Sequence, residues 1–122
     1  MSKDFSSKPL FEESFLADNY GLDGIEDVLP FYSIFLEQTE GAFAALSALA
    51  QGRQLEDLRA LSHKLKSTAW VVGAWRVGEQ LQVIETASEH SQESIIMSVL
   101  PELERTLVET RSLIQNKVVL VG

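Results

Sequence analysis

The sequence contains no cysteine, and this absence excludes several kinds of site at once. Disulfide frameworks, thiolate metal centres and cysteine nucleophiles are all impossible, so neither stability nor chemistry can depend on a thiol. No apolar run approaches the roughly 18 residues that a membrane-spanning helix needs. Residues 1–9 are polar and lack the apolar core of a signal peptide. We therefore expect a cytoplasmic protein.

Basic residues are also scarce. The 10 Lys and Arg stand against 18 Asp and Glu, for a formal net charge of -8. Because affinity for nucleic acid depends on cations that neutralise phosphates, this charge argues against a DNA or RNA partner. Half of the basic residues nevertheless fall between Arg53 and Arg76, and this segment carries a net charge of +3. It is where we expect an anion or an acidic partner surface to bind.

The apolar residues indicate a single helical domain. At 122 residues and 45% hydrophobic content, the chain is long and apolar enough to bury one core. Its apolar residues recur every three or four positions, which is the helical period. We expect a flexible tail over 1–9, a domain over 10–117 and a second tail over 118–122. The fold predicted for the domain is an antiparallel four-helix bundle, preceded by a short helix over Leu10–Asn19.

Helix boundaries follow from caps, glycines and prolines. The four long helices are predicted from an N-cap at Asp23 or Asp27 to Gly52, over Leu55–Val72, over Ala74–Ser88, and through Ile96–Ile114. Pro30 fits only near the start of the first. Pro101 lies inside the last, which is therefore either kinked there or restarted at the proline.

Two histidines are present, and they limit where imidazole chemistry can occur. A rotation of about 100° per residue places His63 roughly 140° from the buried stripe of its helix, so we expect it to face solvent. His90 lies in a polar connection. A neutral exposed imidazole is an available nucleophile. The histidines lack metal-ligand spacing and the chain lacks a glycine-rich phosphate loop, so we expect neither a metal nor a nucleotide site.

The residues around His63 carry a resemblance to a known family. The segment Ser62–Ala74 reads SHKLKSTAWVVGA. It resembles the signature of histidine-containing phosphotransfer (HPt) domains, which is roughly Ala-His-x-Leu-Lys-Gly, five variable residues and Gly-Ala. The chain matches this signature at His63, Leu65, Lys66, Gly73 and Ala74.

Beyond the motif, the likeness extends over approximately Leu22–Glu89 and includes a Leu-x-x-x-Glu pattern at Leu81 and Glu85. Ser62 and Ser67 depart from the family's usual alanine and glycine. With a serine at position 67, the chain is similar to the stand-alone phosphorelay proteins of quorum sensing. The starting methionine also favours a free-standing protein.

The resemblance implies a phosphoryl carrier. His63 would accept a phosphoryl group from the aspartyl phosphate of one receiver domain and pass it to the aspartate of another. The chain would be a monomer and no enzyme, with no kinase activity or nucleotide site of its own. Its partners would be the receiver domains of a hybrid sensor histidine kinase and of a response regulator, and the receiver would supply Mg²⁺.

The same resemblance suggests roles for the neighbours of His63. Lys66, expected at the solvent boundary one turn further on, would offset the negative charge of the phosphoryl group. Ala60 and Ser67 are small enough to let a partner approach, and the Ser67 hydroxyl could donate to the phosphoryl oxygens. The predicted partner-binding residues are Arg59, Ala60, Lys64, Ser67 and Trp70. Independently of the resemblance, Gly73 is expected to end or bend its helix and to form the turn to the next one.

Several alternatives stay open at this point. Trp70 either packs on the first short helix or the adjoining turn, or docks a partner, and the position of Trp75 is undecided. A helical adaptor that binds receivers without carrying phosphate would share the same sequence features, and substitution of His63 by Gln distinguishes the two hypotheses. An enzyme with its own nucleotide or metal site is the third hypothesis, which autophosphorylation with ATP alone would support.

Overall fold

The computed structural model describes residues 9–22 and 24–121. Within these ranges all regular structure is helical, which confirms the all-α prediction. The helices are α1 (Phe15–Tyr20), α2 (Ile25–Thr39), α3 (Ala42–Gln51), α4 (Leu55–Val71), α5 (Trp75–Glu89) and α6 (Glu93–Val121). Residues 1–8 of the expected tail, the proposed cap Asp23 and Gly122 lie outside the described residues. No helix in the described ranges is long and apolar enough to span a bilayer.

The helices form a four-sided bundle. α4 and α5 make the most extensive contact, and α6 packs along α5. α2 and α3 together form the remaining side, because each of them contacts both α4 and α6. Short connections between successive long helices make neighbours antiparallel. The predicted apolar stripes meet in the centre, where the largest fully buried side chains are Tyr32, Phe35, Leu16, Leu46, Leu58, Leu81, Ile84, Ile96, Leu103, Ile114, Val72 and Val77.

The prediction of one helix up to Gly52 is wrong, because the chain breaks between α2 and α3. Glu40 has an extended backbone (φ -61°, ψ 122°), and Gly41 follows in the left-handed region with φ 68°. Arg111 of α6 secures the break. Its Nη1 donates to the Leu36 carbonyl at 2.8 Å and to Thr39 Oγ1, and its Nη2 pairs with Glu40 at 2.8 Å. A side chain from α6 therefore satisfies a carbonyl near the end of α2 that the helix leaves free.

Other features of the helices also differ from the prediction. The first helix, predicted over Leu10–Asn19, begins only at Phe15 and ends at Tyr20. α2 has Gly24 as its N-cap, so Asp27 lies in the first turn rather than at the cap. α6 continues without a break across Pro101, which is exposed to solvent. The alternative of a helix that restarts at this proline is therefore wrong. The expected tail at 118–122 is helical as far as Val121, because Val118 packs against the core and prolongs the buried stripe.

The segment before α2 packs over the turn between α4 and α5. The Glu12 amide donates to the Gly73 carbonyl at 2.9 Å, and the Trp75 indole donates to Glu12 Oε1 at 2.9 Å. The rings of Phe15 and Trp75 meet edge to face at 4.8 Å. Leu16 is buried beneath them. This N-terminal segment therefore covers Trp75, which answers the question that the sequence left open.

Candidate functional site

The exposed face of α4 presents His63 to solvent. The helix buries Leu58, Ser62, Leu65 and Ala69 against the bundle, and the side chain of His63 remains 58% exposed. The prediction that this imidazole faces solvent is confirmed. His90 is exposed at the C-terminal end of α5.

A buried carboxylate on α5 holds the His63 ring. Glu85 is 8% exposed, and its Oε2 lies 3.1 Å from Nδ1 of His63. The Leu-x-x-x-Glu pattern of the sequence contains Glu85 but predicts no role for it at the site. The two residues stand 22 positions apart, so only the pairing of α4 with α5 brings them together. No local spacing rule could have found this contact.

Lys66 belongs to the same cluster. Its Nζ lies 2.8 Å from Glu85 Oε1, donates to Gln82 Oε1 at 2.9 Å and stands 5.3 Å from the centre of the Trp70 ring. The residue is 9% exposed, so its predicted place at the solvent boundary is wrong. The reason is that α5 packs closely against the flank of α4 on which Lys66 lies.

The charge state of Glu85 determines which nitrogen of His63 can react. Burial alone would raise the pKa of Glu85, but the contacts with Lys66 and His63 outweigh it and hold this pKa below its ordinary value of 4.5. The carboxylate is therefore ionised near neutral pH and can only accept hydrogen bonds. Nδ1 of His63 must then carry the proton, and a neutral ring has its lone pair on Nε2. This arrangement prepares Nε2 as a nucleophile.

Trp70 packs against α5 rather than on the first helix, so that alternative is wrong. A Cβ built at Gly78 would lie 1.8 Å from Trp70 Nε1, which shows how closely the indole approaches the bare backbone. Nε1 is buried and has no hydrogen-bond partner among the described residues. The rest of the side chain is half-buried. Trp70 therefore borders the His63 cluster and contacts Lys66.

The other predicted partner-binding residues surround His63 on the outside of α4. Ala60 and Lys64 are exposed. Arg59 is held by Glu56, one turn nearer the start of the helix. Ser67 is exposed, and its hydroxyl donates to the His63 carbonyl at 3.2 Å. The structure thus brings these residues onto one accessible face.

An apolar groove lies beside this face, between α2 and α4. Its lining residues are Phe31, Ile34, Gln38, Ser67, Thr68, Val71 and Val72. Ile34 and Val71 are exposed, and Phe31 is half-buried at the groove wall. Ser67 belongs to both the groove and the exposed face, so the groove begins one turn from His63.

The fold and the site place the chain in a class of all-α bundles in which an exposed imidazole, here that of His63, is backed by a buried carboxylate, here that of Glu85. The comparison with protein families identifies the class: the model of the Hpt domain matches residues 30–113. The match covers well over half of the chain, and the protein belongs to the Hpt domain family. Its general role is therefore histidine phosphotransfer in a phosphorelay. Comparisons with curated proteins and with solved structures found no match.

Proposed function

We propose that His63 is the phosphoryl-accepting residue and that it relays the group between two receiver domains. The observation that carries this proposal is the contact of Nδ1 with Glu85, which leaves the lone pair of an exposed ring on Nε2. In the first step the bond between phosphorus and the receiver aspartate breaks as the bond from Nε2 to phosphorus forms. In the second step an aspartate of another receiver attacks the same phosphorus and His63 leaves.

Glu85 and Lys66 support this chemistry from behind the ring. Once Nε2 carries phosphorus, the ring keeps its proton on Nδ1, and Glu85 stabilises the positive charge that the ring then gains. A lone carboxylate would also repel the incoming phosphoryl group. Lys66, 2.8 Å from that carboxylate, balances its charge and lowers the repulsion.

Receivers are the proposed partners, and the exposed face of α4 is the proposed docking surface. Arg59, Ala60, Lys64, Ser67 and Trp70 would contact a receiver around His63. The apolar groove between α2 and α4 would extend the interface, since exposed Ile34 and Val71 offer it apolar area. The chain would act as a cytoplasmic monomer. Mg²⁺ would be bound by the receiver, next to its phosphorylated aspartate.

Transfer from a phosphorylated receiver tests the proposal. The parent chain, His63→Gln and His90→Gln are mixed in turn with a radiolabelled receiver, and protein-bound label is measured after acid and after base treatment. We expect acid-labile, base-stable label on the parent and on His90→Gln, and none on His63→Gln. Binding without label, in a parent chain tested against several receivers, would contradict the proposal and favour the adaptor.

A further inference from the structure

In the described part of the chain, Lys66 is not free to pair with a phosphoryl group on a phosphorylated His63. Lys66 is committed to Glu85 and Gln82 and lies against Trp70, with its side chain only 11% exposed. If Lys66 turned outward, Glu85 would keep only His63 as a charged partner in a buried position. Such a movement would leave a buried carboxylate poorly compensated.

Arg59 is placed differently. It lies four residues before His63, so it is displaced by about 6 Å along the helix and by about 40° around it. An arginine side chain is long enough to span this distance. Glu56 raises the pKa of the Arg59 guanidinium most, and the charges of Glu89 and Glu85 on α5 add to this effect, so the guanidinium lies on the side of α4 that faces α5.

The present partner of Arg59 is easily replaced. Nη2 and Nε of Arg59 contact the two carboxylate oxygens of Glu56 at 2.6 Å and 3.3 Å. The Glu56 side chain is 79% exposed, and that of Arg59 is 33% exposed. Exposed ion pairs of this kind add little stability. A phosphoryl group carries more charge than a carboxylate and offers the same paired oxygens to a planar guanidinium.

We propose that Arg59 exchanges Glu56 for the phosphoryl oxygens when His63 is phosphorylated. Arg59 thus acts as the mobile cation of the site, and Lys66 as the fixed one. This inference rests on the proposed function, because it concerns the phosphorylated form of His63. Glu56 holds the guanidinium on the correct face of α4 in the resting state.

The test uses chemical phosphorylation, so it needs no receiver. In a His90→Gln chain, potassium phosphoramidate donates its phosphoryl group to His63: its own P–N bond breaks, the bond from Nε2 to phosphorus forms, and ammonia leaves. The pKa of the attached phosphoryl group is then measured by a ³¹P NMR titration. We expect Arg59→Gln to raise this pKa by about half a unit, because a nearby cation favours the doubly charged form.

Two variants make the comparison specific. Arg59→Lys keeps the charge, so it should raise the phosphoryl pKa less than Arg59→Gln does. Arg105→Gln removes the same charge from the exposed face of α6, the helix that lies diagonally across the bundle from α4, and should leave the phosphoryl pKa unchanged. The ¹⁵N-detected Nε–H signal of Arg59 should also move on phosphorylation.

Equal phosphoryl pKa values in the parent and Arg59→Gln, or equal shifts in Arg59→Gln and Arg105→Gln, would overturn the inference. In that case transfer from receivers to His63 would still support the proposed function. If no receiver transfers its phosphoryl group but the Arg59 shift is present, the inference stands and the relay role fails. Absence of phosphohistidine after phosphoramidate treatment contradicts both.

Discussion

The indole of Trp70 occupies the space that a side chain at position 78 would need. A methyl group on Gly78 would stand 1.8 Å from Trp70 Nε1 and 2.1 Å from its Cδ1. The glycine therefore permits α4 and α5 to pack around a large ring beside Lys66. Alanine would ordinarily stabilise a helix at such a position, since glycine is the poorer helix former by about 1 kcal/mol.

We therefore predict that Gly78→Ala lowers or raises the free energy of unfolding according to which side chain stands at position 70. In the parent chain the substitution should lower the free energy of unfolding by about 1–3 kcal/mol, as overpacking does. In a Trp70→Leu background it should be neutral or stabilising. Urea unfolding of the four chains measures the coupling. A similar destabilisation in both backgrounds would show that the indole is not the cause.

Lys66→Met should destabilise the fold, because it leaves the buried Glu85 with one charged partner fewer. We expect a loss of about 1–3 kcal/mol in the free energy of unfolding. Lys64→Met is the matched control: this neighbouring lysine is exposed, and its loss should change stability by less than about 0.5 kcal/mol. Equal effects of the two substitutions would remove the ion pair from the explanation.

The ionised state of Glu85 predicts a pH dependence. Its pKa in the folded chain lies below the ordinary value of 4.5, so ionisation favours the folded state. This contribution is fully present above about pH 4.5 and is lost as the pH falls through the lowered pKa. The stability difference between the parent and Glu85→Gln should therefore shrink on acidification below that pH. Urea unfolding between pH 3 and pH 7 measures it, and a constant difference would contradict the prediction.

Gly73→Ala should cost more stability than Gly41→Ala. Both glycines have positive φ, 80° and 68°, so both substitutions carry a similar backbone strain of about 1–2 kcal/mol. A Cβ at Gly73 would also lie 2.8 Å from the Glu12 carbonyl and 2.8 Å from Phe15 Cβ, whereas nothing lies within 4 Å of one at Gly41. Thermal melts compare the two variants. A larger fall in melting temperature for Gly73→Ala would show that the new methyl group displaces the N-terminal segment. Equal falls for the two variants would show that backbone strain alone causes the loss of stability.

The exposed position of His63 was predictable because it depends on one helix alone. Leu58, Leu65 and Ala69 define the buried face of α4 by the helical period, and the opposite face follows. Gly73 was predictable as a turn for a similar local reason. The contact of His63 with Glu85 depends instead on how α4 packs against α5. The spacing of residues along one helix does not give the distance between side chains on two helices.

The break between α2 and α3 was missed for the opposite reason. Tyr32 and Phe35 in α2 and Leu46 in α3 all reach the core, so the apolar pattern continues as if the helix did. Gly41 was the available signal, and its positive φ is what turns the chain. Lys66 was wrongly predicted at the solvent boundary because the helical period gives only the angle of a residue around its own helix. It does not show how closely the neighbouring helix α5 packs against that flank of α4.

The same break has a consequence for how the bundle opens. α2 has 15 residues and α3 has 10, and isolated helices of these lengths are marginal or unstable in water. Each is folded only while it is docked, and extended Glu40 interrupts the hydrogen-bond ladder between them. Local unfolding of α3 therefore need not spread into α2. Backbone amides of α3 can exchange with solvent as one cooperative unit while the groove beside His63 keeps its shape.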